Sequence, residues 1–520
     1  MIGAEAPPSV PGATWLDRSR AAPILAGLVT VALAWFVWGF SADPLASIQD
    51  ENAYRLQAGL FARGRWADPA PPAERFFDQM HVLSQPVRAA KYPPGHALAL
   101  APGFAVTLPV AFPLFCDFAT GALLFVLARR ASGGAVALLT WIVWLASPGG
   151  LSFRSSYMSE LTTGALWLGG WWALWNWRQT RRAGWLLLFG LFVGWGAITR
   201  PLTAIAFALP AGVCALILAA RRRAWGAFAA ATLLGAAVLA VWPVWSHETT
   251  GDAGLSPVAL YAREVLPWDR PGFGLRDGAV RRELPADVRG SFVQQFRDLH
   301  ARHTIENLPR ILGERIFAVL QDVWGHWALL AAFAIFGAFI APREARLALG
   351  SALLLLLLYL SYAHAPNWTV YYYESFGVLA YATGLGLWRC WDLLASRSRR
   401  PALAAAGPWL VAVALAVAAA PNVLESRERY ESGVRESRRF AKVLEALPPG
   451  PAVVFVRYGP EHDPHKSLVV NGPGLQEARG WIAYDLGPEN GRLLRLSPAR
   501  APFVYDESRG TLRALEAGVP

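Results

Sequence analysis

Asp50-Glu51 stands directly after the first long apolar run, and Lys91-Tyr92-Pro93-Pro94 stands near the end of the polar stretch that follows. A carboxylate at the end of a helix can take the proton from a hydroxyl as that hydroxyl attacks an electrophilic carbon. Only three of the 48 basic residues are lysine (Lys91, Lys442 and Lys466). A lysine fixed beside two prolines in so arginine-rich a chain points to a compact cation facing an anion such as a phosphate. The alternative for each is a solvated loop charge. Glu160 opens the fourth apolar run and adds a second candidate carboxylate. Arg154 and Arg200 lie at run ends on the same side, where they either bind phosphate or reach for lipid headgroups. Asp117 falls inside the second run, as a functional group or a packing residue. His247, His300 and His303 are weak metal-ligand candidates, because their spacing matches no strong ligand motif. Tyr54, Tyr92, His364, Tyr372 and Glu374 are candidates for lining a substrate pocket.

These residues need elements to hold them at one surface. The chain has 520 residues, 54% hydrophobic, with 24 Trp and mean hydropathy +0.31, too apolar for an ordinary soluble enzyme. Apolar runs of roughly 17–21 residues recur, the length a helix needs to cross hydrocarbon. About eleven such runs are predicted, near 21–40, 111–128, 134–151, 161–177, 184–199, 201–220, 225–246, 326–341, 347–364, 373–391 and 402–420. The first is too long for a signal h-region and reads as an uncleaved anchor.

Arginines cluster at every second run boundary: Arg129-Arg130, Arg178 with Arg181-Arg182, Arg221-Arg222-Arg223, Arg343 with Arg346, and Arg389 with Arg397, Arg399 and Arg400. That alternation predicts cytoplasmic loops. With Arg18 and Arg20 these segments hold 16 basic residues against four acids, Glu5, Asp17, Glu344 and Asp392. The net charge of +11 is then a topology signal and excludes a nucleic-acid footprint. All nine histidines (His81, His96, His247, His300, His303, His326, His364, His462 and His465) fall on the other side, where the acids and Lys91 also lie. Cys116, Cys214 and Cys390 sit in or at separate runs and imply no disulfide framework.

The expected organisation is a cytoplasmic tail, 1–20, and a transmembrane catalytic region, 21–420, with outer loops 41–110, 152–160 and 247–325. A soluble outer domain follows over 421–520. Within the first loop, Leu56–Phe61 reads as part of an amphipathic helix. Residues 96–108, interrupted by Pro102, read as an interfacial helix rather than a span. The 288–320 stretch has helical periodicity. A charged helix over 424–446 leads through Pro448-Pro449-Gly450 to Val453-Val454-Phe455-Val456, a strand-like run, so the last region is predicted as small and α+β. The fold class is thus a polytopic all-α membrane protein with interfacial helices and an extracytoplasmic α+β domain. No phosphate loop, dinucleotide fingerprint or nucleophile elbow is present. Chemistry outside the cytoplasm, away from nucleotide sugars and ATP, needs a donor carried by lipid.

Asp50-Glu51 with Tyr54 and Gln57-Ala58, then Lys91-Tyr92-Pro93-Pro94-Gly95, Ser155 to Glu160 and Thr199-Arg200-Pro201 form an ordered set over residues 20–390. The set resembles the GT-C superfamily of membrane glycosyltransferases, in particular its protein-mannosyltransferase-like family 39 and the lipid A aminoarabinose transferases. The resemblance implies transfer with inversion from a polyprenyl-phosphate-linked sugar at the outer face of a bacterial inner membrane. It further implies an N-terminus inside and a C-terminus outside, Asp50 as base, Lys91 on the donor phosphate and Glu160 as second carboxylate. Two positions depart from the lipid A enzymes. Ala90 replaces the acid before the lysine, which weakens the case for a bound divalent metal, the one cofactor left open, and Glu160 replaces Asp. The partners expected are the lipid-linked donor and membrane lipids, with no nucleic acid. A transporter or flippase of lipid-linked glycans, or a non-catalytic scaffold, is the alternative.

Overall fold

The computed structural model describes residues 14–285, 288–325, 327, 329–396 and 401–515. Residues 1–13 of the expected tail, with Glu5, and His326, Arg397, Arg399 and Arg400 lie outside the described residues.

A helix occupies each predicted span, but not every helix is long enough to cross a bilayer. Four are long and apolar enough: Ala111–Ser132, Pro201–Arg222, Trp225–Thr250 and Ala406–Glu445. The number rises to six if two bent pairs each count as one span. In one pair Gly134–Leu145 turns by 74° into Pro148–Arg154; in the other Leu308–Trp324 turns by 99° into Leu329–Ile340. The bend after Leu145 falls at Ser147-Pro148, where the residue before proline is driven out of the helical region and Ser147 is extended. Ala21–Val37 and Ala183–Ala197 are apolar but shorter. Length and apolarity among the described residues thus account for four to six of the roughly eleven expected spans.

Small residues let the apolar helices approach. A Cβ on Gly337 would collide with the Ala382 carbonyl, and one on Gly386 with that of Phe333. Glycine at both contacts brings Leu329–Ile340 and Tyr373–Ser396 into backbone contact, the usual means of packing helices where lipid offers no hydrophobic drive. The arginine-rich ends (Arg129-Arg130, Arg178, Arg221-Arg222) are C-terminal turns of their helices. Glu160 and Glu374 lie in the first turns of theirs.

The expected interfacial helix is Pro94–Ala105, and Leu56–Phe61 lies inside Gln49–Ala62. The periodic 288–320 stretch divides into Val288–Val293, Gln294–Arg302 and Leu308–Trp324. Near the end of the chain, one helix, Pro401–Glu445, runs through both the expected span and the expected charged helix. It delivers a four-stranded sheet in the order Gly480–Tyr484, Ala452–Arg457, Ala501–Asp506, Thr511–Ala514, parallel except for the last strand. Alternate residues face opposite sides of a strand, and here both sides are covered. Val453 and Phe455 pack with Phe76 and Phe77 of the first outer loop. Val454 and Val456 pack with Phe440, Phe292 and Phe296. The sheet is thus wedged between two outer loops rather than tethered beyond them.

Candidate active site

Asp50 and Lys91 are brought together by a small antiparallel sheet in which Val87–Ala90 is flanked by Asp68–Pro69 and Val82–Leu83. The Asp50 helix begins after extended Ile48. Gln57, two turns on, accepts the Ala90 amide at 3.0 Å, so helix and strand share one frame. Lys91 leaves that strand and its amide donates to the His81 carbonyl at 2.9 Å. Beyond it, the Gly95 amide donates to the Ile198 carbonyl at 2.9 Å. A Cβ on Gly95 would stand 2.9 Å from that carbonyl oxygen. The glycine ending the Lys-Tyr-Pro-Pro-Gly motif therefore lets the loop seat beside the helix end that carries Arg200.

Asp50 receives the Tyr92 hydroxyl at 2.5 Å on Oδ1 and faces His81 Nε2 at 3.3 Å on Oδ2. Its side chain is 26% exposed, whereas His81 is 5% exposed. Burial alone would raise the Asp50 pKa, but His81, the Tyr92 hydrogen bond and Lys91 outweigh it and hold the carboxyl well below the usual range. Asp50 is ionised at neutral pH. Tyr92 stacks on Tyr54 with centroids 4.6 Å apart, and Tyr54 meets His96 edge-on.

Lys91 Nζ lies 3.8 Å from Asp269 Oδ2 and 4.8 Å from the centre of the Tyr261 ring. Burial lowers its pKa, against the pull of Asp269 and Asp50. Asp269 accepts the Tyr362 hydroxyl at 3.0 Å and has His300 Nε2 at 3.8 Å. Burial would raise its pKa; the nearby His300 and Lys91, with the Tyr362 hydroxyl, reverse that and lower it.

Arg200 is placed by Pro201 at the first turn of its helix, a position where the missing amide costs nothing. Its Nη1 donates to the Val370 carbonyl at 3.0 Å and lies 3.7 Å from Glu160 and 3.8 Å from Glu374. Thr163 donates to Glu374. Both Glu160 oxygens and Glu374 Oε2 are buried without a hydrogen-bond partner among the described residues. Tyr371 links this group to the first, 5.6 Å from the Arg200 guanidinium and 5.5 Å from the Tyr362 ring.

Other expected site residues lie elsewhere or are already occupied. Glu51 accepts Ser47 Oγ at 2.6 Å and the Tyr157 amide at 3.0 Å. It braces the Asp50 helix against the 152–160 loop. Arg154 donates to the Trp144 and Leu145 carbonyls at 3.1 and 2.7 Å, satisfying the C-terminal end of Gly134–Leu145, whose carbonyls lack helical partners. Its guanidinium lies over the Trp144 ring. His364 pairs with the Tyr372 hydroxyl at 2.9 Å and meets the site through the Tyr371 and Tyr362 rings. His247 is exposed at the end of its helix, His300 faces Asp269, and His303 stacks on Phe273. The three do not converge, and no group of three His, Cys, Asp or Glu among the described residues is arranged to hold a metal ion.

His81, Tyr261, Asp269, Tyr362 and Tyr371 belong to the cluster but were not among the expected site residues. His81 shares the Lys91 loop and the outer side, a signal that could have raised it. Asp269, within Trp268-Asp269-Arg270-Pro271, has no spacing that ties it to Lys91.

No protein-family model matches this chain, nor does any curated protein. It is similar to three kinds of solved structure. One is ArnT from Cupriavidus metallidurans bound to undecaprenyl phosphate, at 17% identity over 93% of this chain and 90% of that one, TM-score 0.48. A second is the Archaeoglobus fulgidus oligosaccharyltransferase tethered with an acceptor peptide, at 11% identity over 86% and 62%, TM-score 0.46. A third is the arabinosyltransferase EmbB from Mycobacterium smegmatis, at 13% identity over 87% and 43%, TM-score 0.45. All three are GT-C glycosyltransferases; at these identities, the chemistry of this chain is read from its own side chains.

Proposed function

We propose that the protein is a multi-pass inner-membrane glycosyltransferase. It moves a monosaccharide, with inversion, from a polyprenyl-phosphate carrier to a hydroxyl of an envelope lipid, glycan or protein at the periplasmic face. The observation that carries this reading is the gathering in one cluster of a partly exposed Asp50 carboxylate and the buried Lys91 amine, held by the Gln49–Ala62 helix and the Val87–Ala90 strand.

The acceptor oxygen forms a bond to the anomeric carbon, and Asp50 takes the hydroxyl proton. The bond from that carbon to the phosphate oxygen breaks, and its electron pair leaves on the lipid phosphate. Lys91 faces the charge that develops there, where a prepositioned cation is most effective. Its single ionic partner among the described residues, Asp269, is at 3.8 Å, loose enough for a phosphate to compete. Glu160 and Glu374, with unmet acceptor oxygens beside Arg200, suit the hydroxyls of the donor sugar.

The test is release of free polyprenyl phosphate from a labelled lipid-linked monosaccharide, with envelope extract as acceptor. Asp50→Asn should lower the rate by about 10²–10⁴-fold, the usual contribution of a general base, with the melting temperature held. Full activity in that variant, correctly folded, would move the base elsewhere.

A further inference from the structure

We propose that His81 is the positioning residue of Asp50, a neutral imidazole that aims the carboxylate and disables the base when it takes a proton. This rests on Asp50 being the base proposed above.

Three observations carry it. His81 is fixed through its backbone: its amide donates to the Tyr261 hydroxyl at 3.1 Å and its carbonyl accepts from Lys91. Its φ of 65° is a left-handed conformation that non-glycine residues adopt at a cost, and such conformations gather at functional sites. Its ring is walled by Tyr92, Tyr261 and Phe292, with centroids 5.3, 6.3 and 5.2 Å away. Finally, Nδ1 is buried with no hydrogen-bond partner among the described residues, while Nε2 faces Asp50.

An ionised carboxylate only accepts hydrogen bonds, so Nε2 carries the proton and Nδ1 is bare. A second proton on Nδ1 would be a buried donor with nothing to receive it. The groups facing His81 act in both directions. Asp50 favours the cation; Lys91, on the adjoining loop, and His465, from the C-terminal domain, oppose it. Burial is the largest influence and lowers the His81 pKa below 6.5. A neutral imidazole gives Asp50 a dipolar partner and leaves it more basic than a charged imidazole would. Once the imidazole is charged, Asp50 is tied into an ion pair and becomes a poorer proton acceptor. Asp50 itself titrates far lower and the donor is a phosphodiester, so protonation of His81 adds its own limb on the acid side of the rate profile.

The full-length protein in detergent gives two independent readouts. In the transfer assay, His81→Leu should lower kcat about 10–100-fold with KM held. His81→Gln, whose amide nitrogen falls where Nε2 stands, should recover most of that loss and remove the His81 contribution to the acid limb. An unchanged acid limb in His81→Gln overturns the proposal, while silence of the wild type with every donor overturns the transferase reading alone. The second readout needs no substrate. Histidine-labelled protein is titrated by NMR, and His81→Asn identifies the His81 signal. Replacing Asp50 by Asn should lower the His81 pKa by about 1–3 units, the effect of removing an adjacent opposite charge. An unmoved titration would show that the two groups are not coupled.

Discussion

Two buried cations stand three positions apart at the same strand. Arg88 gives Nη1 to the Gly472 carbonyl at 2.9 Å and to Asp68 at 3.4 Å, and Nη2 to the Asn471 carbonyl. Asp68 in turn accepts the Gly474 amide at 2.7 Å. Lys91 has Asp269 at 3.8 Å and aromatic rings around it. The two are almost equally buried, at 2% and 6% exposure, so burial does not separate them. Unspent hydrogen-bonding capacity does. The Arg88 group is a latch whose partners all belong to this chain; the Lys91 group is short of partners and can accept one from outside.

Breaking the latch should have the largest effect on stability. Arg88→Ala leaves buried Asp68 with only the half-exposed Arg65 at 3.8 Å and removes the latch to Asn471 and Gly472, at a cost of about 3 kcal/mol, read as a fall in melting temperature in detergent. Asp68→Asn with Arg88→Met should recover part of it, and equal melting temperatures for Arg88→Ala and wild type would end the distinction. Lys91→Met should do the converse, holding the melting temperature while lowering kcat/KM by about 10–100-fold, the loss of one charge-assisted contact. Lys91→Arg should rescue little, since the guanidinium fork differs in shape from an ammonium. Arg154→Met should cost about 1–3 kcal/mol through the carbonyls it leaves unmet, and donor KM should not change. A raised donor KM would return Arg154 to the phosphate site. The smallest effect is expected of Glu51→Gln, which trades one accepted hydrogen bond for a mismatch of about 0.5–1.5 kcal/mol.

The contribution of His81 to stability should also fall on mild acidification. Below 6.5 the unfolded chain protonates His81 while the folded chain resists, because its pKa is lowered. The unfolded state then binds more protons, and unfolding is favoured as pH drops. His81→Asn should flatten that slope.

Sequence showed more of the cluster's members than of its geometry. Asp50, Glu160 and Arg200 stand out by residue type at run ends, Lys91 as a rare lysine beside two prolines, and Tyr54 and Tyr92 through the motif set; in the structure they lie in one cluster with Glu374. Glu51 was grouped with its neighbour, but one residue along a helix turns a side chain by about 100°, and the two carboxylates meet different partners. Arg154 stood at an outer run end in sequence; the 74° bend after Leu145 returns it to the helix it caps. Neither periodicity nor composition encodes such a bend. His81 and Asp269 join through tertiary folding of long loops, which leaves no spacing to read.

The C-terminal sheet grips the same pieces that carry the chemistry. Gln49, next to Asp50, donates to the Ser467 carbonyl at 2.8 Å, and Arg88 closes on Asn471 and Gly472. Synthesis runs in the opposite order, since Asp50 and Lys91 emerge long before residue 467. A nascent chain can thus insert its helices and still lack the frame that holds Asp50 and Lys91, which closes only once the segment around Ser467 to Gly474 has emerged.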